Sequence, residues 1–183
     1  MQAAVESTRA ELQDFEGVVH LYWQRIYRFV LASVRDADAA QTLTQDCFMR
    51  AYSKRGTFRG QASVKTWLMK IAVNLVRDFG RNRRLQFWKR LSASGVNPGD
   101  VSDHLPDATI SLEDRALLNE QVQMIWQASR RLPERQRTVF LLRFVEDMDL
   151  LEIAAATGLK EGTVKIHLFR ALHAIRGRLR GSR

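Results

Sequence analysis

The sequence predicts an all-α protein built as two small helical domains joined by an acidic flexible linker. Three observations lead there. Apolar residues recur at three- and four-residue steps through most of the chain. No alternating strand pattern stands out. The helical pattern is broken by a stretch, 91–114, that holds no Lys or Arg but carries Asp100, Asp103, Asp107, Glu113 and Asp114 beside Gly95, Pro98, Gly99 and Pro106. The expected boundaries are 1–90 for the first domain, 91–111 for the linker and 112–183 for the second domain.

Each element has its own signal. Phe15, Val18, Val19, Tyr22, Ile26, Phe29 and Val30 mark an amphipathic helix over roughly 12–34. Asp36 or Asp38 can cap a second helix, whose inward stripe would be Leu43, Cys47, Phe48, Ala51 and Tyr52. Gly56 and Gly60 bracket a break. Ser63 is a plausible cap for a third helix, with Val64, Trp67, Leu68, Ile71, Leu75 and Phe79 inward. Beyond the linker, periodicity resumes near Leu112 and runs through Leu117, Leu118, Val122, Ile125 and Trp126 until Pro133, which suits the first turn of a new helix.

Composition bounds the function. The chain has 183 residues, 45% of them apolar, and a net charge of +9. That is enough for real cores, and the charge favours an anionic partner, nucleic acid or an anionic membrane surface. The single cysteine, Cys47, removes a disulfide framework or a cysteine zinc site. Its place on an apolar stripe reads as a core thiol. The polar N-terminus lacks the apolar core of a signal peptide, and no apolar run approaches the roughly 20 residues of a membrane span. A soluble cytoplasmic protein is expected. His20, His104, His167 and His173 are scattered without metal-ligand spacing, and no Gly-rich phosphate loop appears. No enzyme activity, cofactor, metal or small-molecule substrate is expected.

The segment from Asp149 to Leu172 carries the constraints of a helix-turn-helix. Ile153 and Ala154 pair a large with a small apolar position, and the small one lets the helices approach closely. Gly158 sits where the tight turn needs a positive φ. Leu159 and Val164 face the core, leaving Thr163, Lys165, Ile166, His167, Phe169 and Arg170 to divide between the outward and flanking faces. Lys160, Lys165, Arg170, Arg176, Arg178, Arg180 and Arg183 stand against Glu161 alone, a charge balance that suits phosphates. The alternative is an ordinary helical hairpin with a solvated basic face.

Leu132-Pro133, Arg135-Gln136-Arg137, Leu141-Leu142-Arg143, Ile153-Ala154, Gly158 and the run from Glu161 to Lys165 together resemble region 4 of the sigma-70 family, in its extracytoplasmic function (ECF) group. The Thr-Val-Lys-x-His-Leu string is also similar to the output domain of LuxR-type response regulators, the rival for this half. Such a regulator needs an upstream phosphoacceptor domain with buried strands, and residues 1–90 show no such alternation. They resemble sigma region 2 instead, at Asp38, Leu43, Gln45, Asp46, Phe48, Ala51, Phe58, Arg59, Thr66, Trp67, Leu68, Ile71, Ala72 and Asn74.

The resemblance implies an alternative sigma factor that binds bacterial core RNA polymerase and directs promoter-specific transcription initiation. Residues 36–55 would dock on the β′ clamp coiled coil through Asp38, Gln41, Thr42, Gln45, Asp46, Met49 and Arg50. The β flap would be a second polymerase contact. Residues 57–84 would melt and hold the minus-ten element through Phe58, Arg59, Gln61, Ser63, Lys70, Asn74, Arg77, Arg81, Arg83 and Arg84. Trp67 reads more as core than as a stacking platform. Residues 158–176 would lie in the minus-thirty-five major groove, with Arg143, Lys160, Glu161, Thr163, Lys165, Ile166, His167, Phe169 and Arg170 as the candidate surface. Lys165 and Arg170 can reach guanine edges or phosphates; Phe169 can buttress the helix or touch a thymine methyl.

The acidic linker would thread polymerase channels otherwise used by nucleic acid, its carboxylates mimicking phosphates. The alternative is a tether kept acidic to stay off the basic domains. An anti-sigma factor is also implied, often membrane-anchored and then sequestering the protein at the inner membrane face. Three departures stand out. Ala40-Gln41 replaces the family's Glu-Asp on the docking face. Lys160 stands where a capping Ser or Pro is common. Ile166-His167 replaces Ser-Arg on the reading face. A LuxR-like regulator that binds operator duplexes without docking on polymerase remains the alternative function.

Overall fold

A computed structural model describes residues 12–94 and 120–180. Among them are seven α-helices and no strand: α1 (Phe15–Val34), α2 (Ala37–Lys54), α3 (Val64–Ser94), α4 (Glu120–Arg130), α5 (Glu134–Phe144), α6 (Leu150–Thr157) and α7 (Glu161–Arg180). A short 3-10 turn, Arg55–Thr57, follows α2.

Local chemistry sets the ends. Asp14 accepts from the Gly17 amide at 3.0 Å and starts α1. Arg35, with φ 59, ends it, and its amide donates to the Leu31 carbonyl at 2.8 Å. Asp36, not Asp38, caps α2 by accepting from the Ala39 amide at 3.0 Å. Ser63 caps α3 as expected, since its Oγ accepts from the Thr66 amide at 3.2 Å. Each cap satisfies an amide that the first helical turn would leave unpaired. Pro133 stands one position earlier than expected, at the N-cap of α5, where its missing N–H costs nothing. Helix α3 runs on to Ser94, so residues 91–94 are helical; the first helix breaker beyond them is Gly95. The rest of the expected linker, and Leu112, Leu117 and Leu118, lie outside the described residues.

Helices α1–α3 pack on one another through Val18, Ile26, Phe29, Val30, Leu43, Cys47, Phe48, Ala51, Val64, Leu68, Ala72 and Leu75. Burial of each large side chain stabilises the fold by about 1.5–3 kcal/mol. Tyr52 departs from the inward stripe. It lies near the C-terminal end of α2, is 51% exposed, and its ring is covered by the Arg55 guanidinium at 3.6 Å. Helices α4–α7 bury Val139, Leu141, Leu142, Met148, Ile153, Val164, Ala171 and Ile175.

The two sets of helices meet, α3 against α6 and α1 against α5. Arg137 donates to the Ser33 carbonyl at 2.7 Å and Arg35 to the Arg130 carbonyl. Lys65 donates to the Glu146 carbonyl at 3.4 Å, and the Thr66 hydroxyl to the Glu152 carboxylate at 3.2 Å. Burial, then the neighbouring Arg35 charge, brings the Arg137 guanidinium down to about 10. Glu146, on the turn between α5 and α6, is fully buried with both carboxylate oxygens lacking a hydrogen-bond partner.

Candidate nucleic-acid interface

The helix-turn-helix is α6, the turn at Gly158 and α7. Asp149 accepts from the Glu152 amide at 2.8 Å while Glu152 accepts from the Asp149 amide at 2.9 Å. This reciprocal box pins the start of the short α6. Gly158 adopts φ 72 and ψ 15, the left-handed geometry its position predicted. Helix α7 then buries Val164, Ala171 and Ile175 with Leu168 and Leu172 partly covered, a stripe at three- and four-residue steps. The carbonyl of Lys160 accepts from Thr163 and Val164 at 2.9 and 3.0 Å, while its ammonium has nothing with which to accept from the first-turn amides.

The opposite face of α7 is open. Lys160, Lys165, Ile166, Phe169 and Arg170 are exposed, and Glu161 and Thr163 are half-buried at its edge. Lys165 is paired with Glu161 at 2.7 Å. His167 lies on the flank, half-buried. Burial first, then the Arg135 and Arg170 charges, pull its imidazole below the ordinary histidine range, which favours its neutral form. Arg143 is half-buried and donates to the Met148 carbonyl at 2.9 Å, which ties the turn leading into α6. Whatever else it contacts, it positions the helix-turn-helix.

The second basic surface lies on α3. Lys70, Asn74, Arg77, Arg81 and Arg84 follow one another at steps of four and three, so they form one stripe, and all are exposed. Arg83 lies off that stripe and is half-buried. Arg81 pairs with Asp78 at 3.2 Å. Arg77 donates to the Thr157 carbonyl at 3.2 Å and Arg84 pairs with Glu134 at 3.4 Å, so α6 and α5 abut this stripe. In the preceding loop, Gly60 takes φ 69, and Arg59, Gln61 and Ser63 are exposed, Ser63 being spent on its cap. Phe58 is turned inward, 8% exposed, its ring 5.0 Å from that of Trp67. Both aromatics brace the loop from below.

On α2, Asp38, Gln41, Thr42, Gln45, Met49 and Arg50 are exposed and Asp46 is half-buried. Sequence reasoning missed their aromatic neighbours. Phe15, Trp23, Phe48 and Tyr52 line an open concavity with Gln45, Met49 and Ser53, and Trp23 stacks on Phe48 at 5.5 Å. The eight-residue spacing of Phe15 and Trp23 puts them on one face of α1, a signal that was available. Among the described residues no group of three or more His, Cys, Asp or Glu is placed to hold a metal ion. No described helix is long and apolar enough to cross a membrane.

A helix-turn-helix with an exposed basic face, preceded by a helical half with its own basic stripe, has the fold and charge of a DNA-binding protein. Comparison with known proteins makes the class specific. Sigma-70 region 2 matches residues 18–86, and Sigma-70, region 4 matches residues 122–175. The RNA polymerase sigma-H factor of Pseudomonas aeruginosa is 32% identical over 91% of this chain and 86% of its own length. The ECF RNA polymerase sigma factor SigW of Bacillus subtilis is 27% identical over 94% of this chain and 92% of its own. In solved structures, the sigma factor RpoE of Bartonella quintana, in complex with the anti-sigma factor NepR, superposes with a TM-score of 0.67 at 25% identity, covering 93% of this chain and 99% of that one. CnrH, in complex with the cytosolic domain of CnrY, shares the fold at a TM-score of 0.68 and 16% identity, over 98% of this chain and 99% of that one. The chain belongs to the sigma-70 family, in its extracytoplasmic function group. It is an alternative sigma factor that directs promoter-specific transcription initiation, and the LuxR-like alternative is set aside.

Proposed function

We propose that the three exposed surfaces divide the work of initiation. The polar face of α2, with Asp38, Gln41, Thr42, Gln45, Asp46, Met49 and Arg50, docks on the β′ clamp of core polymerase, and the helix-turn-helix half meets the β flap. The α3 stripe and the loop before it hold the opened minus-ten strand. Helix α7 lies in the minus-thirty-five major groove. The observation that carries this reading is the five-residue stripe from Lys70 to Arg84. A duplex-only regulator has no need of a second basic surface, whereas a strand-opening factor does.

The aromatic concavity beside Met49 extends the docking face and adds apolar area to it. Of the two positions that depart from the family's Glu-Asp, only Gln41 lies on that face; Ala40 is fully buried against the core, contrary to the expectation from sequence. The sigma factor RpoE of Bartonella quintana is bound to the anti-sigma factor NepR in its solved structure, and we assign this chain a partner of that kind. Its setting is the cytoplasm, at the inner membrane face when that partner is membrane-anchored. The acidic linker threads polymerase. The division into two domains, the first running to the end of α3 at Ser94 and the second holding α4 to α7, follows the same logic, one domain for each promoter element. Mixing the purified chain with core polymerase should give a stable complex and discrete run-off transcripts. Tight binding to a free duplex, with neither complex nor transcript, would overturn this reading.

A further inference from the structure

We propose that Ile166 and Phe169 form an apolar reading edge that recognises the 5-methyl groups of thymines in the minus-thirty-five duplex. The inference rests on the reading of α7 as the groove helix and goes beyond it by naming what the centre of that helix reads. Ile166 is 52% and Phe169 71% exposed. They are three positions apart on one helix, where side chains are neighbours about 5–6 Å apart at Cβ. Neither is needed by the core, which α7 reaches through Val164, Ala171 and Ile175. One face of the Phe169 ring stacks toward His173, with centroids 6.3 Å apart.

The surrounding charge says what covers this edge. Lys160, Lys165, Arg170, Arg176 and Arg180 are exposed on the same helix and its start, so the apolar pair lies in a cationic surround, complementary to phosphate. Lys165 is held toward Glu161 at 2.7 Å, and His167 lies half-buried on the flank. The middle of the reading face therefore offers hydrocarbon, with cations at its rim. In the major groove the C5-methyl of thymine is the base-edge group that hydrocarbon matches. Base pairs stack about 3.4 Å apart, so two side chains at this spacing reach methyls one or two steps apart, on either strand.

The test uses holoenzyme assembled from core polymerase and the full chain. Minus-thirty-five elements are first selected from random duplexes. Each selected thymine is then replaced by uracil, which removes only the methyl, and closed-complex affinity is measured. Losing one buried methyl should weaken binding roughly fourfold. Ile166→Ala should abolish the uracil penalty at one position and Phe169→Ala at another. Circular dichroism of each variant should be unchanged, since both side chains are exposed. Selected elements without thymine, or uracil duplexes bound as tightly as thymine ones, would overturn the inference and leave the groove-helix reading standing. A uracil penalty that survives both substitutions would also overturn it and assign the pair to a protein contact. A holoenzyme that selects no minus-thirty-five sequence would overturn both.

Discussion

The Arg77 guanidinium donates to the carbonyl of Thr157 at 3.2 Å, joining the middle of the α3 stripe to the last turn of α6. About two turns further along, Arg84 meets Glu134 at 3.4 Å. Two cations of the proposed strand-holding surface are thus engaged by the other half of the same chain. Glu134→Ala frees Arg84 without touching the stripe itself. An exposed pair of this kind is worth about 0.2–1 kcal/mol. The free chain should therefore bind a single-stranded minus-ten oligonucleotide up to about fivefold more tightly by fluorescence anisotropy. Unchanged or weaker binding would show that Arg84 does not serve that strand.

Glu146 should make stability depend on pH in a specific direction. Burial pushes its carboxyl above the usual range, against the lowering pull of Arg28, Arg25 and Lys65. The folded chain holds that proton more tightly than the unfolded one, so the contribution is fully present below the unfolded value near 4.3 and is lost as pH rises through the folded value. Glu146→Gln removes this loss. It should leave the protein about 1 kcal/mol more stable at pH 7, with a flatter urea-midpoint profile between pH 4 and 7. A less stable variant at pH 7 would mean that the carboxylate is ionised and held by those three cations.

The Asp149–Glu152 box is the local support of an eight-residue helix. Asp149→Ala should cost about 1 kcal/mol and lower Tm by roughly 2–4 °C for a chain of this size. Glu152→Ala should cost more, because the same carboxylate also accepts from the Thr66 hydroxyl across the two halves. Equal losses in thermal unfolding would place the Thr66 bond among the interactions that contribute nothing.

Cys47 is fully buried, its Sγ 3.6 Å from the Leu68 carbonyl, and burial pushes the thiol up to about 12 despite the opposing Arg50 charge. The reactive thiolate is therefore scarce at ordinary pH. A thiol-disulfide reagent at pH 8 should titrate no thiol in the native chain and one after denaturation. Rapid native labelling would contradict this burial.

Much of this was legible because it is local. Asp36, Ser63 and Gly158 act within a turn of themselves, and a cap or a left-handed glycine leaves its mark in the residue type. The inward stripes of α1 and α3 follow from a period of 3.6. What escaped depends on where segments meet. Tyr52 fits the apolar period of α2, yet α2 ends two residues later and leaves it open to solvent. Phe58 lies in a loop, where periodicity gives no direction. The tasks of Arg77, Arg84 and Arg137 arise only when α3 and α1 touch α6 and α5, across 50 to 104 residues of sequence. The Asp-x-x-Glu box at 149–152 was readable and overlooked.

The central claim is that one chain opens the duplex with α3 and reads it with α7. Permanganate footprinting of minus-ten thymines, beside DNase protection of the minus-thirty-five element, tests it directly in reconstituted holoenzyme. Lys70→Ala with Arg81→Ala should keep minus-thirty-five protection and lose permanganate reactivity. Arg170→Ala should weaken protection, while any complex that forms still opens. Full minus-ten reactivity in the Lys70/Arg81 double variant, or loss of both signals together in each variant, would contradict the division of labour.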